Sequence, residues 1–180
     1  MGETEAIPAG EVSQDDLYQH VADTFGPALD RLARAYEADP EKRRDLLQEI
    51  HLQLWRSLGH FERRCSLRTW VYRVAHHAAT SHVVRERRVY ATLVALEDLD
   101  FTQDQGESVA DQRKALERLS SLIQRLKPLD RQIIVSYLEG MDAASIADIT
   151  GLSTGNVAMK IHRIKNALAS WFRRGGSHGE

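Results

Sequence analysis

Apolar residues recur at intervals of three and four along almost the whole chain, and no stretch alternates with period two, so the pattern predicts an all-α protein. Leu17, Val21 and Phe25 fall on one helical face. Leu29, Leu32 and Tyr36 resume the spacing beyond Gly26-Pro27, where the proline is expected to start a new helix or kink the old one. Asp39-Pro40 supplies an N-cap and a first-turn proline, and the helix it opens carries Leu46, Leu47, Ile50, Leu54 and Leu58 inward, with Gly59 closing it. HFERRCSLRT, residues 60–69, reads as a polar loop running into a helix from Trp70 to about Arg88, with Trp70, Val71, Val74, Ala75 and Ala78 as its apolar stripe. Leu116, Leu119, Ile123 and Leu126 mark a further helix. Asp130 is expected to cap the next, RQIIVSYLEG, with Gly140 as its stop.

The stretch from Asp142 to Trp171 has the most specific local chemistry. Asp142 can accept backbone N–H bonds at a helix start, Gly151 can supply the positive φ of a tight turn, and Ser153 can cap a second helix. Ala147 lets two helix axes approach and Val157 fills the angle between them, a helix-turn-helix spacing. Ile161, Ile164, Leu168 and Trp171 continue the apolar face beside Val157 and read as core. An ordinary αα-hairpin with a glycine corner would share this spacing. What separates the two readings is charge: from Thr154 to Arg174 there is no Asp or Glu, while Lys160, Arg163, Lys165, Arg173 and Arg174 are cationic, which suits a polyanion.

The net charge of −2 conceals this sorting. Between Phe61 and Tyr90, seven arginines (63, 64, 68, 73, 85, 87 and 88) face only Glu62 and Glu86, with His76, His77 and His82 adding protonatable rings. Arginines beside aromatics favour nucleic acid, where phosphate pairing and base stacking are needed together. Residues 91–111 are acidic, with no Lys or Arg, and read as a linker between two helical units. The resulting division is a tail at 1–13, units at 14–90 and 112–174, and a tail at 175–180. One cysteine, Cys65, excludes a disulfide framework and a multi-cysteine zinc site. Apolar runs fall far short of the roughly 20 residues that span a bilayer, and the acidic N-terminus lacks a signal-peptide core, so a cytoplasmic location is expected. No nucleophile lies beside a base, and neither a phosphate-binding glycine loop nor a metal-ligand set is present, so no catalysis, cofactor or metal is expected.

Two segments, in this order, resemble the extracytoplasmic-function (group IV) sigma factors of bacterial RNA polymerase. DLLQEIHLQLWRSLGHFERRCSLRTWVYRVAHHA is similar to sigma region 2, and LKPLDRQIIVSYLEGMDAASIADITGLSTGNVAMKIHRIKNAL to region 4. Together they cover most of residues 15–172, and their pairing across a short linker is more specific than either alone.

The resemblance implies a non-catalytic subunit that binds core polymerase and directs promoter-specific initiation, its partners being core (β′ clamp helices and β flap), promoter DNA and an anti-sigma factor. Asp45, Gln48, Glu49, Leu52 and Trp55 would dock on the clamp helices. Arg64, Ser66, Arg68, Arg73, His77 and Arg85 would capture and hold the minus-ten element. Ser153, Thr154, Gly155, Asn156, Ala158, Met159, Lys160, Arg163 and Lys165 would meet the minus-thirty-five duplex, with Asn156 suited to adenine and Lys160 to guanine, and Ser153, Arg163 and Lys165 on phosphates. The chain departs from the family's pattern at Lys42-Arg43-Arg44, where acidic residues are common, at His76-His77, and at Ala158-Met159 on the recognition helix. The alternative is a stand-alone helix-turn-helix regulator whose N-terminal half serves dimerisation or an effector.

Overall fold

A computed structural model describes residues 13–94 and 110–174, and the side chains of 13–86 and 115–172. The expected acidic linker lies largely outside the described residues, as do the C-terminal tail and all but the last residue of the N-terminal one. Within them the chain forms α1 (Gln14–Tyr36), α2 (Pro40–Leu58), α3 (Leu67–Val94), α4 (Ala110–Gln124), α5 (Pro128–Leu138), α6 (Ala143–Thr150) and α7 (Thr154–Arg174). The described residues contain no strand, as the periodicity predicts.

In α1 the helix runs through Pro27 as one element, so of the two expected outcomes the proline does not start a new helix. The reason is tertiary. A helix-interior proline costs about 3 kcal/mol, whereas each buried leucine returns about 1.5–3 kcal/mol. Leu17, Val21, Phe25, Leu29, Leu32 and Tyr36 form one buried face across the proline, so burial decides. At the start of α2, the Asp39 carboxylate accepts from the backbone N–H of Glu41 at 2.8 Å and of Lys42 at 3.0 Å. Leu46, Ile50, Leu54 and Leu58 are buried along its length, with Leu47 half-buried.

α3 begins at Leu67, three residues earlier than the sequence suggests, because Ser66 Oγ accepts from Thr69 N at 3.0 Å and so acts as a cap. Its buried set is also wider than the expected stripe and includes Tyr72, His76, Ala79 and His82. This follows from its position: α3 packs on α1 and α2 along one side and on α5 and α6 along another. Two further departures concern α4 and α5. Leu116 is exposed, and Leu122 takes the core position beside Ile123 and Leu126. α5 starts at Pro128, whose fixed φ is preset for a first turn, so Asp130 is not its cap. In α5, Val135 and Ser136 are buried with Ile133 and Ile134, while the apolar Tyr137 and Leu138 are exposed.

The helix-turn-helix forms as its local chemistry dictates. Asp142 accepts from Ser145 N at 2.7 Å. Gly151 takes φ +73° and its N–H bonds the Ala147 carbonyl at 2.8 Å. Ser153 Oγ accepts from Asn156 N at 3.3 Å, and Val157 is completely buried in the angle.

The N-terminal helices and the C-terminal four close on each other. Gln124 donates to the Arg34 carbonyl at 2.9 Å, and buried His76 bridges Tyr36 (Nδ1, 3.0 Å) and Ser136 (Nε2, 2.9 Å). The sequence announces two units, but not that they pack together.

Gly151 tests the turn cleanly, because a Cβ there would meet nothing within 4 Å. Gly151→Ala therefore costs only the left-handed backbone, about 1–2 kcal/mol, with Gly151→Asn costing less. Urea unfolding of the two variants at one pH checks the ordering.

Candidate nucleic-acid interface

The loop after α2 and the first turns of α3 build one cationic surface. Phe61 packs on Trp70 with ring centroids 5.4 Å apart, and Trp70 Nε1 donates to Ser57 Oγ at 3.2 Å, which fixes the loop against α2. Arg63 at φ +58° turns the chain. The result is a cavity of about 510 Å³ lined by His60, Glu62, Arg64, Cys65, Trp70, Arg73 and Asp148. The lining sets the two arginines beside two carboxylates, with a histidine, a thiol and an indole completing it.

The six residues expected at the minus-ten element are not equally available. Arg64 is exposed, with Glu62 2.7 Å away, and His77 and Arg85 are exposed on α3. Ser66 is exposed while serving as the α3 cap. Arg68 and Arg73 are half-buried and engaged with the C-terminal helices. Arg68 lies 5.9 Å over the Tyr72 ring and donates to the Glu139 carbonyl, and Arg73 donates to the Asp148 carbonyl at 2.9 Å.

Of the three histidines read as protonatable, His76 must be corrected. It is fully buried, and desolvation pushes its pKa down to about 3, so it is a neutral packing group at physiological pH. His82 is also buried, with Nε2 3.2 Å from Glu37.

A second surface lies on the outer flank of α2. Asp45 and Gln48 are exposed, Glu49 is half-buried and accepts from Gln53 at 2.7 Å, and Leu52 and Trp55 are each 42 % exposed. Trp55 Nε1 donates to Asp15 at 2.7 Å, which orients the indole while leaving much of it open. Two large apolar side chains at helical spacing among polar ones are what a protein-docking face requires. Of the three cations next to this flank, Lys42 is bound internally to Glu86 on α3 at 2.6 Å.

The third surface is the N-terminal half of α7. Ser153, Thr154, Gly155, Asn156, Ala158 and Met159 all face solvent, and Met159 is 67 % exposed. Lys160 instead turns back onto α5, with Nζ 2.7 Å from Asp130, whose other oxygen lies 3.4 Å from the more exposed Arg163. Lys165 Nζ donates to the Tyr137 hydroxyl at 3.3 Å. Asp130, expected at a helix start, serves Lys160 and Arg163 instead. Its spacing from the cations of α7 is set by the packing of α5 on α7.

An open recognition helix on a cap-glycine-cap scaffold, in one chain with a second arginine-lined surface, defines a DNA-binding protein of the helix-turn-helix class. Comparison with known proteins narrows this. The family model for sigma-70 region 2 matches residues 21–89, and that for sigma-70 region 4 matches residues 116–168. The RNA polymerase sigma-H factor of Pseudomonas aeruginosa is 27% identical over 140 residues, 72% of either chain. The ECF RNA polymerase sigma factor SigW of Bacillus subtilis is 22% identical over 168 residues, 88% of this chain and 90% of the relative. Among solved structures, RpoE in complex with the anti-sigma factor NepR from Bartonella quintana superposes with a TM-score of 0.68 at 20% identity, covering 88% of this chain and 98% of that one. CnrH in complex with the cytosolic domain of CnrY gives 0.63 at 22%, covering 90% of each. The chain belongs to the sigma-70 family and is of the extracytoplasmic-function type: a sigma factor, which binds core RNA polymerase and directs initiation at promoters. Its relatives are sigma factors, which are not enzymes. No described helix is long and apolar enough to cross a membrane.

His76 gives the fold a pH dependence of known sign. Its folded pKa is depressed, so its contribution is full above the ordinary histidine pKa of about 6.5 and is lost as pH falls, because the unfolded chain then binds a proton the native one refuses. From pH 6.5 down to about 5, this removes up to about 1.4 kcal/mol per pH unit. Urea titrations of wild type and His76→Gln over that interval should show a shallower fall for the variant.

Proposed function

We propose that the sigma factor works through three separate surfaces. The outer flank of α2, with Asp45, Gln48, Glu49, Leu52 and Trp55, docks on the β′ clamp helices, and the 14–90 unit as a whole melts the minus-ten element. Leu52 and Trp55 are the apolar anchors, being exposed already in the free chain. The cavity at the α3 N-terminus receives an extruded base of the non-template strand, whose binding offsets an unstacking cost of roughly a few kcal/mol. Arg64, Arg68, Arg73 and Arg85 hold the backbone around it, with Ser66 and His77 beside them. The 112–174 unit reads the minus-thirty-five duplex and contacts the β flap, with Thr154, Gly155, Asn156, Ala158 and Met159 at base edges and Ser153, Arg163 and Lys165 on phosphates. Lys160 reaches a base only by leaving Asp130.

The observation that carries this reading is the open first half of α7 joined, in one polypeptide, to the cavity at the start of α3, where Arg64 and Arg73 stand beside Glu62 and Asp148. A stand-alone regulator needs the first surface and has no use for the second. By the same family likeness we place the chain in the cytoplasm, without catalytic activity, under the control of an anti-sigma factor.

The direct test is reconstitution. Sigma-free core polymerase with the purified chain should produce transcripts from fragmented genomic DNA whose start sites share two sequence blocks upstream. A stand-alone regulator would give none and would bind duplex DNA tightly by itself. Within α7, Asn156→Ala should relax base preference in the upstream block. Arg163→Ala should weaken binding evenly across sequences and lower the salt slope by about one unit, as measured by anisotropy titrations at several salt concentrations.

A further inference from the structure

Asp130 stands in the first turn of α5, where no side chain caps the helix, and its carboxylate is taken up by α7. One oxygen lies 2.7 Å from Lys160 Nζ and the other 3.4 Å from the Arg163 guanidinium. The two cations are not held alike. The Lys160 side chain is 26 % exposed and that of Asp130 15 %, so this pair is largely shielded, whereas Arg163 is 68 % exposed and has most of its guanidinium in solvent.

Helix geometry explains the difference. At about 100° per residue, Lys160 falls about 60° from buried Val157 and about 40° from buried Ile164, whereas open Met159 falls about 160° from Val157. Lys160 therefore leaves α7 on the flank that packs against α5, and its ammonium reaches the outward face only by abandoning Asp130. Abandonment is unfavourable on both sides. It breaks a shielded pair and strands the carboxylate, and the stranded anion would lie one guanidinium away from the phosphate proposed for Arg163.

We propose that Asp130, a residue outside the recognition helix, sets what that helix reads. As a positioning residue it withholds Lys160 from guanine acceptors and leaves the base edges to the Asn156 amide and the apolar surfaces of Ala158 and Met159. The inference rests on the minus-thirty-five role proposed above for α7. A guanidinium has donors enough to keep a carboxylate and take a phosphate as well, so Arg163 stays available to the backbone. Lys160, Arg163 and Asp130 together then present one net positive charge to DNA instead of two.

The test uses holoenzyme assembled from core polymerase and the full chain, presented with linear promoter fragments randomised upstream of a mapped start site, the retained fragments being sequenced. Asp130→Asn keeps the shape of the side chain and removes its charge. It should add a guanine at one position of the upstream block, enriched roughly fivefold over wild type, the low end for a lysine on guanine acceptors. Filter retention at several salt concentrations should show a slope steeper by about one unit, because one more cation meets DNA. Adding Lys160→Ala to Asp130→Asn should abolish the new guanine, and Asp130→Glu should retain the wild-type block. Lys160→Ala alone should leave the block unchanged. An unchanged block in Asp130→Asn overturns the inference, as does a guanine lost in Lys160→Ala alone, and a merely structural Asp130 would move affinity without moving the selected sequence. A wild-type holoenzyme that selects no common upstream block overturns the minus-thirty-five reading itself, and the inference with it.

Discussion

α3 must serve three partners with one circumference, and the arrangement of the chain follows from that. One side completes the core of the first unit through Val71, Ala75, Ala78 and Ala79. A second meets the C-terminal helices, where buried His76 joins Tyr36 to Ser136 and Tyr72 meets Glu139. What remains, with His77 and Arg85, faces solvent. Because the faces adjoin, a side chain near an edge can serve either the protein interior or a ligand, and Arg68 and Arg73 are such side chains. A buried polar bridge such as Tyr36–His76–Ser136 is satisfied only while the two units are in contact, so separating them requires water to replace those bonds.

The parts legible in the sequence are those whose chemistry is local. Asp142, Gly151 and Ser153 set two caps and a turn within twelve residues, and each does in the structure what its side chain or backbone permits. The open residues of α7 followed from those caps. Leu116 and Asp130 misled because tertiary packing overruled the local signal: Leu122 took the core position in place of Leu116, and Asp130 went to Lys160 and Arg163 instead of a helix start, while burial carried α1 through Pro27 as one element. His76 was legible as a histidine and not as a buried one, because its burial needs Ser136, sixty residues away. An ion pair between Arg31 and Glu139 spans 108 residues of sequence, and no periodicity marks it.

Several cations counted as free for DNA are engaged within the protein, and the kind of engagement matters. Lys160 faces a carboxylate, which carries a full charge and is shared with Arg163. Arg68 and Arg73 face main-chain carbonyls, which carry partial charge and are weaker competitors than a polyanion. Elements named minus-ten and minus-thirty-five lie about 25 base pairs apart, or about 85 Å along B-DNA, whereas a compact chain of this length has a radius of gyration of about 16 Å.

The central claim, that the cavity of α3 and the first turns of α7 address different DNA elements at the same time, is tested most directly by photo-crosslinking within the assembled initiation complex. A photoreactive side chain at position 64 should mark the non-template strand near minus ten, and one at position 156 the duplex near minus thirty-five, on the same promoter molecules. Crosslinks from both positions to a single segment, or from position 64 to duplex DNA alone, would contradict the account.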